Sequence, residues 1–143
     1  MTEKFFVYVD GVFVKDRKIL LSKRNVEPFK GCWHLIGGHV EDNESLREAL
    51  KREFKEETNL DIAAGCIIDA RTEITFDRIK IIIVFEVISA TGKIRLNSEN
   101  TDFGWFSKTP QNSVCDYTKY LTKYRQGLNE KELKHNELSL KFG

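Results

Sequence analysis

Apolar and polar positions alternate with a strand period along most of this chain, and the pattern lengthens to a helical period in one long segment. Phe5 to Val14, rich in Val, Phe and Tyr, predicts a first strand with Gly11 as its bulge. Lys15-Asp16-Arg17 reads as a tight turn into a second strand, Lys18 to Arg24. Asn25 to Lys30 contains Pro28 and is a loop, and it leads to a short strand, Trp33 to Ile36, that Gly37-Gly38 breaks. Asp42 or Asn43 then caps a helix that runs to about Thr58, with acids in its first turn. Two β stretches, Ile62 to Ile74 and Ile79 to Ser89, join around Phe76-Asp77, and Thr91-Gly92 turns the chain towards a further strand from Asp102 to Ser107. Asp116 to Arg125 reads as helical, and Asn129 to Leu138 as a last helix. Strands predominate, with one long helix after the third strand and another near the end. That order predicts an α/β (α+β) domain with a mixed sheet.

The long helix breaks its own pattern. Leu46, Ala49, Leu50 and Phe54 form an apolar stripe suited to packing on a sheet. At about 100° per residue, Glu53 and Glu57 project into that same sector and Glu56 lies at its edge. Carboxylates at i, i+3 and i+4 repel one another, and they sit near the helix end where the dipole disfavours negative charge. A helix serving packing alone would gain from leucine at 53 and 57. Divalent cations are the simplest compensation, and hard ions such as Mg²⁺ or Mn²⁺ favour carboxylate and carbonyl oxygens. The bland alternative is an exposed charged helix end laced by Glu48–Arg52 and Arg52–Glu56 pairs.

Composition narrows the partners. The 143 residues fit one domain, 1–143, and no repeat or linker divides them. A net charge of +1 supplies no global field for nucleic acid or anionic membrane, so nucleic acid is not the expected partner. Within Glu41 to Asp61, however, acids outnumber bases two to one, which again points to a cation. Cys32, Cys66 and Cys115 are odd in number and widely spaced, which argues for thiols in a reducing compartment rather than disulfides or a zinc ribbon. The start of the chain lacks a signal-peptide layout, and the longest apolar run, Ile81 to Phe85, is too short to span a bilayer. The expectation is a soluble cytoplasmic protein without membrane contact, compatible with a homodimer.

The residues around the helix carry a specific resemblance. Gly38, Glu44 and Arg52-Glu53-Phe54-Lys55-Glu56-Glu57-Thr58-Asn59-Leu60 match the spacing G-x5-E-x7-R-E-U-x-E-E-x-G-U, with U apolar. The segment resembles the signature of the Nudix hydrolases and departs from it only at Asn59, which stands for the final glycine. Asn is the next best residue for a left-handed helix cap. Trp33 to Gly38 is similar to the family's W-x-L-P-G-G lead-in, with Ile36 in place of proline.

The resemblance implies an α/β/α sandwich and Mg²⁺-dependent (or Mn²⁺-dependent) hydrolysis of a phosphoanhydride bond in a small nucleoside diphosphate-linked substrate. It assigns Glu53, Glu56 and Glu57 to the metal, with the Gly38 carbonyl as a further ligand. Glu53 becomes the general base, with Arg52 orienting it and Glu44 either pairing with Arg52 or serving as a peripheral ligand. Glu99 is a candidate ligand with Asp102 as its rival, and Lys23 and Arg24 are candidate phosphate contacts. His34 and His39 flank the double glycine and are read as non-catalytic, while Phe29, Trp33 and Trp105 are aromatic residues for the core or for stacking on a base.

The proline that marks ADP-ribose members, expected near Phe76, is absent, as is the tyrosine of diadenosine-polyphosphate members. Nucleoside triphosphates and nucleotide sugars are therefore the leading substrates. The alternative is a Nudix-fold nucleotide sensor or RNA-binding module without hydrolase activity, which the complete set of box glutamates disfavours.

Overall fold

The computed structural model describes residues 4–123. Its elements are β1 (Phe5–Val12), β2 (Val14–Lys15), β3 (Lys18–Arg24), β4 (Trp33–His34), β5 (Ile36–His39), α1 (Leu46–Thr58), β6 (Asp61–Thr75), β7 (Arg78–Thr91), β8 (Asn100–Phe106) and α2 (Thr118–Lys123). The helix expected over 129–138 lies outside the described residues, as does the end of the one expected to reach Arg125. Among the described residues no helix is long and apolar enough to cross a membrane.

The strands form two four-stranded sheets. One runs β5-β1-β7-β6, and in the other β2, β3 and β4 pair in turn while β8 lies along β3. β1 runs parallel to β7 and antiparallel to β5, so the first sheet is mixed, as the order of elements predicts. Alternation along the strands sends side chains to two cores. Val9, Leu20, Ile36, Phe85 and Val87 pack with Ala49, Leu50 and Phe54 of α1, while Val12, Ile19, Leu21, Leu35, Ile82 and Val84 pack with Tyr117 and Tyr120 at α2. The two helices thus cover opposite sides of the β layer.

Three local expectations are corrected. The cap of α1 is Ser45, not Asp42 or Asn43. The Ser45 hydroxyl accepts from the Glu48 amide at 3.1 Å while the Glu48 carboxylate accepts from the Ser45 amide at 3.0 Å. This reciprocal box satisfies two otherwise orphaned donors and outweighs a single acid one turn earlier. Asn43 instead takes a left-handed turn conformation, φ 65°. Gly11 makes no bulge, because β1 keeps continuous register with Gly11 opposite Ile36 and Phe85. Its lack of a side chain serves packing: a Cβ there would lie 2.5 Å from Cε2 of Phe54. Gly37 and Gly38 do not end a strand either. They lie inside β5, opposite Asp10 and Val9.

Candidate active site

The carboxylates of α1 meet the double glycine of β5. Residues facing the sheet from α1 are buried, and Glu57 is among them at 3 % exposure. Gly37 donates its amide to Glu57 Oε2 and Asn100 donates its side-chain amide to Glu57 Oε1, both at 3.2 Å. Burial still pushes the Glu57 carboxyl well above the usual carboxylate range, with the charge of Glu53 acting the same way. Glu53 lies beside Gly38, where a Cβ would fall 2.5 and 2.6 Å from its two carboxylate oxygens. Its carboxyl is pushed up to about 7 by loss of water, with Arg52 opposing and Glu56 and Glu99 reinforcing the rise.

Arg52 organises the near side of the site. Its Nε and Nη2 donate to the two oxygens of Glu44 at 2.9 and 2.7 Å, a planar fork on a carboxylate. Nη2 also donates to the His39 carbonyl at 3.0 Å, and Nη1 donates to Glu53 Oε1 at 2.8 Å and to Glu56 Oε2 at 3.2 Å. Hydrogen bonding to Arg52 holds the Glu44 carboxyl down at about 2, so Glu44 stays ionised and keeps the guanidinium in place. Arg52 therefore binds one oxygen of Glu53 and leaves its other oxygen outside that ion pair.

A second network reaches the site from the opposite strands. His34 Nε2 lies 3.2 Å from both Ser22 Oγ and Asn100 Oδ1. Because the Asn100 amide nitrogen already donates to Glu57, its oxygen is the acceptor, and His34 donates from Nε2. Burial lowers the His34 pKa to about 4, so the ring is neutral near pH 7. It acts as a fixed hydrogen-bond donor to Asn100. Asn100 is the residue sequence reasoning missed. Its signal is only a polar side chain at the start of a strand, beside the singled-out Glu99, yet it is 95 % buried. Half-buried Asp10, across from Gly37, was missed as well, and loss of water raises its carboxyl to about 7.

The other expected site residues scatter. Glu56 is half exposed and turned to Arg52, so it does not join Glu53 and Glu57 in the sheltered part of the site. Like charges in a low-dielectric recess part when one of them has solvent and a cation to reach. Among the described residues no three acidic, histidine or cysteine side chains converge into a ready-made metal cluster. Glu99 is exposed on the loop before β8, and its charge acts on both Glu53 and Glu57. Its rival Asp102 sits opposite Lys23 in β8 and accepts the Phe103 amide at 2.8 Å.

Arg24 donates to the Pro28 carbonyl at 2.7 Å and Lys23 lies 5.8 Å over the Trp33 ring, so both are engaged with the 25–33 loop rather than turned to the carboxylates. Trp33 packs edge-on against Phe106 and Trp105 against Phe13, which makes both indoles part of the core. Phe29 stays exposed.

The donor set suits a hard divalent cation. Carboxylate oxygens of Glu53 and Glu57 flank the Gly37–Gly38 backbone, so closely that a side chain at residue 38 would have to displace the Glu53 carboxylate.

Comparison with known proteins places the same residues in context. Residues 5–110 match the family model described as NUDIX domain. The chain is 35 % identical over 127 residues to an ADP-ribose pyrophosphatase of Methanocaldococcus jannaschii, covering 86 % of this chain and 75 % of that protein. It is 34 % identical over 88 residues to the nucleoside triphosphatase NudI of Escherichia coli, covering 54 % of this chain and 62 % of that one. Among solved structures, a MutT NUDIX hydrolase from Burkholderia pseudomallei superposes with a TM-score of 0.75 at 25 % identity, covering 87 % of this chain and all of that one.

Proposed function

Because the chain belongs to the Nudix family and is a pyrophosphohydrolase of nucleoside diphosphate derivatives, we propose that it hydrolyses the phosphoanhydride of a nucleoside diphosphate sugar, ADP-ribose first, with Mg²⁺ or Mn²⁺ held by the α1 carboxylates. The observation that carries the cation reading is the approach of Glu53 and Glu57 to the Gly37–Gly38 backbone. The relative that spans most of this chain, the ADP-ribose pyrophosphatase, favours the sugar nucleotide over the nucleoside triphosphates also expected from the sequence. The missing proline at Phe76 weighs little against that, since Phe76 lies in the turn between β6 and β7 with its side chain fully in solvent.

The cation would be held by Glu53, Glu57 and the Gly38 carbonyl, with Glu56 and Glu99 as further oxygens. It would neutralise the diphosphate and make a water acidic enough to attack phosphorus. Glu53 takes the proton of the attacking water. Arg52 fixes one of its oxygens and leaves the other to accept that proton. Gly37 and Asn100 hold both oxygens of Glu57 in one orientation, and its remaining lone pairs would serve as ligands to the cation. Glu44 acts through Arg52 and does not touch the substrate.

The test is a panel of ADP-ribose, other nucleoside diphosphate sugars and nucleoside triphosphates, each with Mg²⁺, Mn²⁺ or excess EDTA, with products separated by chromatography. AMP and a sugar phosphate from ADP-ribose, formed only with metal, support the proposal. Turnover in EDTA, or turnover confined to triphosphates, overturns it.

A further inference from the structure

Polar side chains are scarce in the interior of this fold, and most of them lie in one row. Among the described residues the buried polar or charged side chains are Ser22, Glu57, Thr58 and Asn100. Thr58 is satisfied within its own helix, because its hydroxyl donates to the Phe54 carbonyl. The other three are strung together through half-buried His34. The row runs from Ser22 on β3 through His34 on β4 and Asn100 on β8 to Glu57 on α1. Ser22 follows the buried run Ile19-Leu20-Leu21, where an apolar side chain would need no partner at all. Burying a hydroxyl, an imidazole and an amide together lowers stability unless every group is matched. Sequences depart from an apolar interior in this way mainly where function requires it. The row ends on Glu57, which takes one hydrogen bond from each sheet, from Gly37 of β5 and from Asn100 of β8.

We infer that His34 is a positioning residue for the cation site: it locks the sense of the Asn100 amide, and through it the direction in which Glu57 presents its carboxylate. The inference rests on the reading of Glu57 as a cation ligand. A carboxylate that holds a cation is ionised and can only accept, so the Asn100 nitrogen has to face it. The Asn100 oxygen then points back to His34 Nε2 at 3.2 Å, and the neutral ring has a single N–H to give. Ser22 Oγ, 3.2 Å from the same nitrogen, shares that N–H as a second acceptor and ties the ring to β3. Without the N–H, the amide oxygen would be left in the interior with no donor. The amide would then gain nothing from its present sense, and turning it over would set its oxygen against the Glu57 carboxylate. Freedom of Asn100 passes to Glu57, whose other restraint is the single bond from Gly37. His34 acts on the cation only through these two residues.

Mn²⁺ binding to the full chain, followed by its paramagnetic signal, tests the inference apart from turnover. His34→Leu keeps bulk and removes the N–H, and Mn²⁺ affinity should fall about 10-fold, the lower end for an outer partner of a metal ligand. His34→Gln places an N–H where Nε2 stood and should recover most of the affinity. His34→Asn is just as polar but one bond too short to reach Asn100, so it should bind Mn²⁺ as weakly as His34→Leu; this pair decides the matter if the leucine variant folds poorly. In an Asn100→Ala background His34→Leu should weaken binding no further, since the path from the ring to Glu57 is already cut. A packing role alone gives the opposite pattern, with no rescue by glutamine and with losses at 34 and 100 that add. Wild-type affinity in His34→Leu, equal affinities in His34→Gln and His34→Asn, or additive losses in the double variant overturn the inference and leave the cation reading standing. A wild type that binds no Mn²⁺ removes the cation reading and the inference with it.

Discussion

Gly38 lies so close to Glu53 that a Cβ on the glycine would fall 2.5 and 2.6 Å from the two carboxylate oxygens. Gly38 has no left-handed backbone, so alanine is compatible with its conformation, and what must yield is the mobile end of Glu53. Gly38→Ala should therefore fold, with a melting temperature near wild type, while displacing the carboxylate that serves the reaction. The expected loss in kcat is about 10²-fold or more, as for a misplaced general base. Unchanged kcat in a folded Gly38→Ala protein would remove Glu53 from the base role.

Neighbours on α1 separate chemistry from packing. Glu53→Gln keeps size and helix propensity but loses the charge, and kcat should fall by about 10²-fold to 10⁴-fold with little change in stability when metal is present. Phe54 is fully buried in the cavity that Gly11 leaves for it. Phe54→Ala should cost about 3–5 kcal/mol of stability and leave turnover per folded molecule largely intact at low temperature. Thermal unfolding and steady-state kinetics on both variants check the contrast. A Glu53→Gln enzyme with near wild-type kcat would move the base to Glu99.

The pH dependence of the metal-free protein follows from Glu53 and Glu57. Both carboxyls are raised in the fold, Glu53 from 4.5 to about 7, so the folded state prefers them neutral. Their contribution is fully present below the unfolded value and is lost as pH rises from about 4.5 through 7. In EDTA the melting temperature should therefore fall over that window, and millimolar Mg²⁺ or Mn²⁺ should restore it at the alkaline end. Glu53→Gln should flatten the EDTA profile. A wild-type melting temperature that climbs from pH 5 to 8 in EDTA would contradict the assignment of these shifts.

Asn100 is expected to set metal affinity rather than the chemical step. Asn100→Ala removes a donor to Glu57 Oε1 and an acceptor for His34, leaving both groups partly unsatisfied. Loss of such an outer partner typically weakens metal binding 10-fold to 100-fold. Titration with Mn²⁺, followed by its paramagnetic signal, should show that weakening, and saturating metal should recover most of kcat. Wild-type Mn²⁺ affinity in Asn100→Ala would reduce the Ser22–His34–Asn100 chain to a packing role.

What the sequence determined by itself is the short-range part of this protein. The 3.6-residue period of Leu46, Ala49, Leu50 and Phe54 defines the buried side of α1, and the carboxylates at 53, 56 and 57 are set beside it by the same geometry. Asn59 closes the helix with φ 66°, the left-handed cap that its place in the signature implies, because that conformation depends on one residue and its own helix. The Ser45–Glu48 box was equally written in the chain, and the nearby acids at 41 to 44 concealed it.

Tertiary structure decided everything that depends on which strands pair. Antiparallel pairing of β3 with β8, shifted at Lys23/Arg24, brings Ser22, His34 and Asn100 into one hydrogen-bonded row across separations of 12 and 66 residues. It also supplied Asn100 as a partner for Glu57, whose inward direction the helical period had already set. Gly11 shows the same division: its need for a bare Cα comes from Phe54 on another element and leaves no trace in the local pattern. Periodicity reports which side of an element is apolar, whereas partners in space are chosen by sheet register and by the burial of whole side chains, which no local window contains.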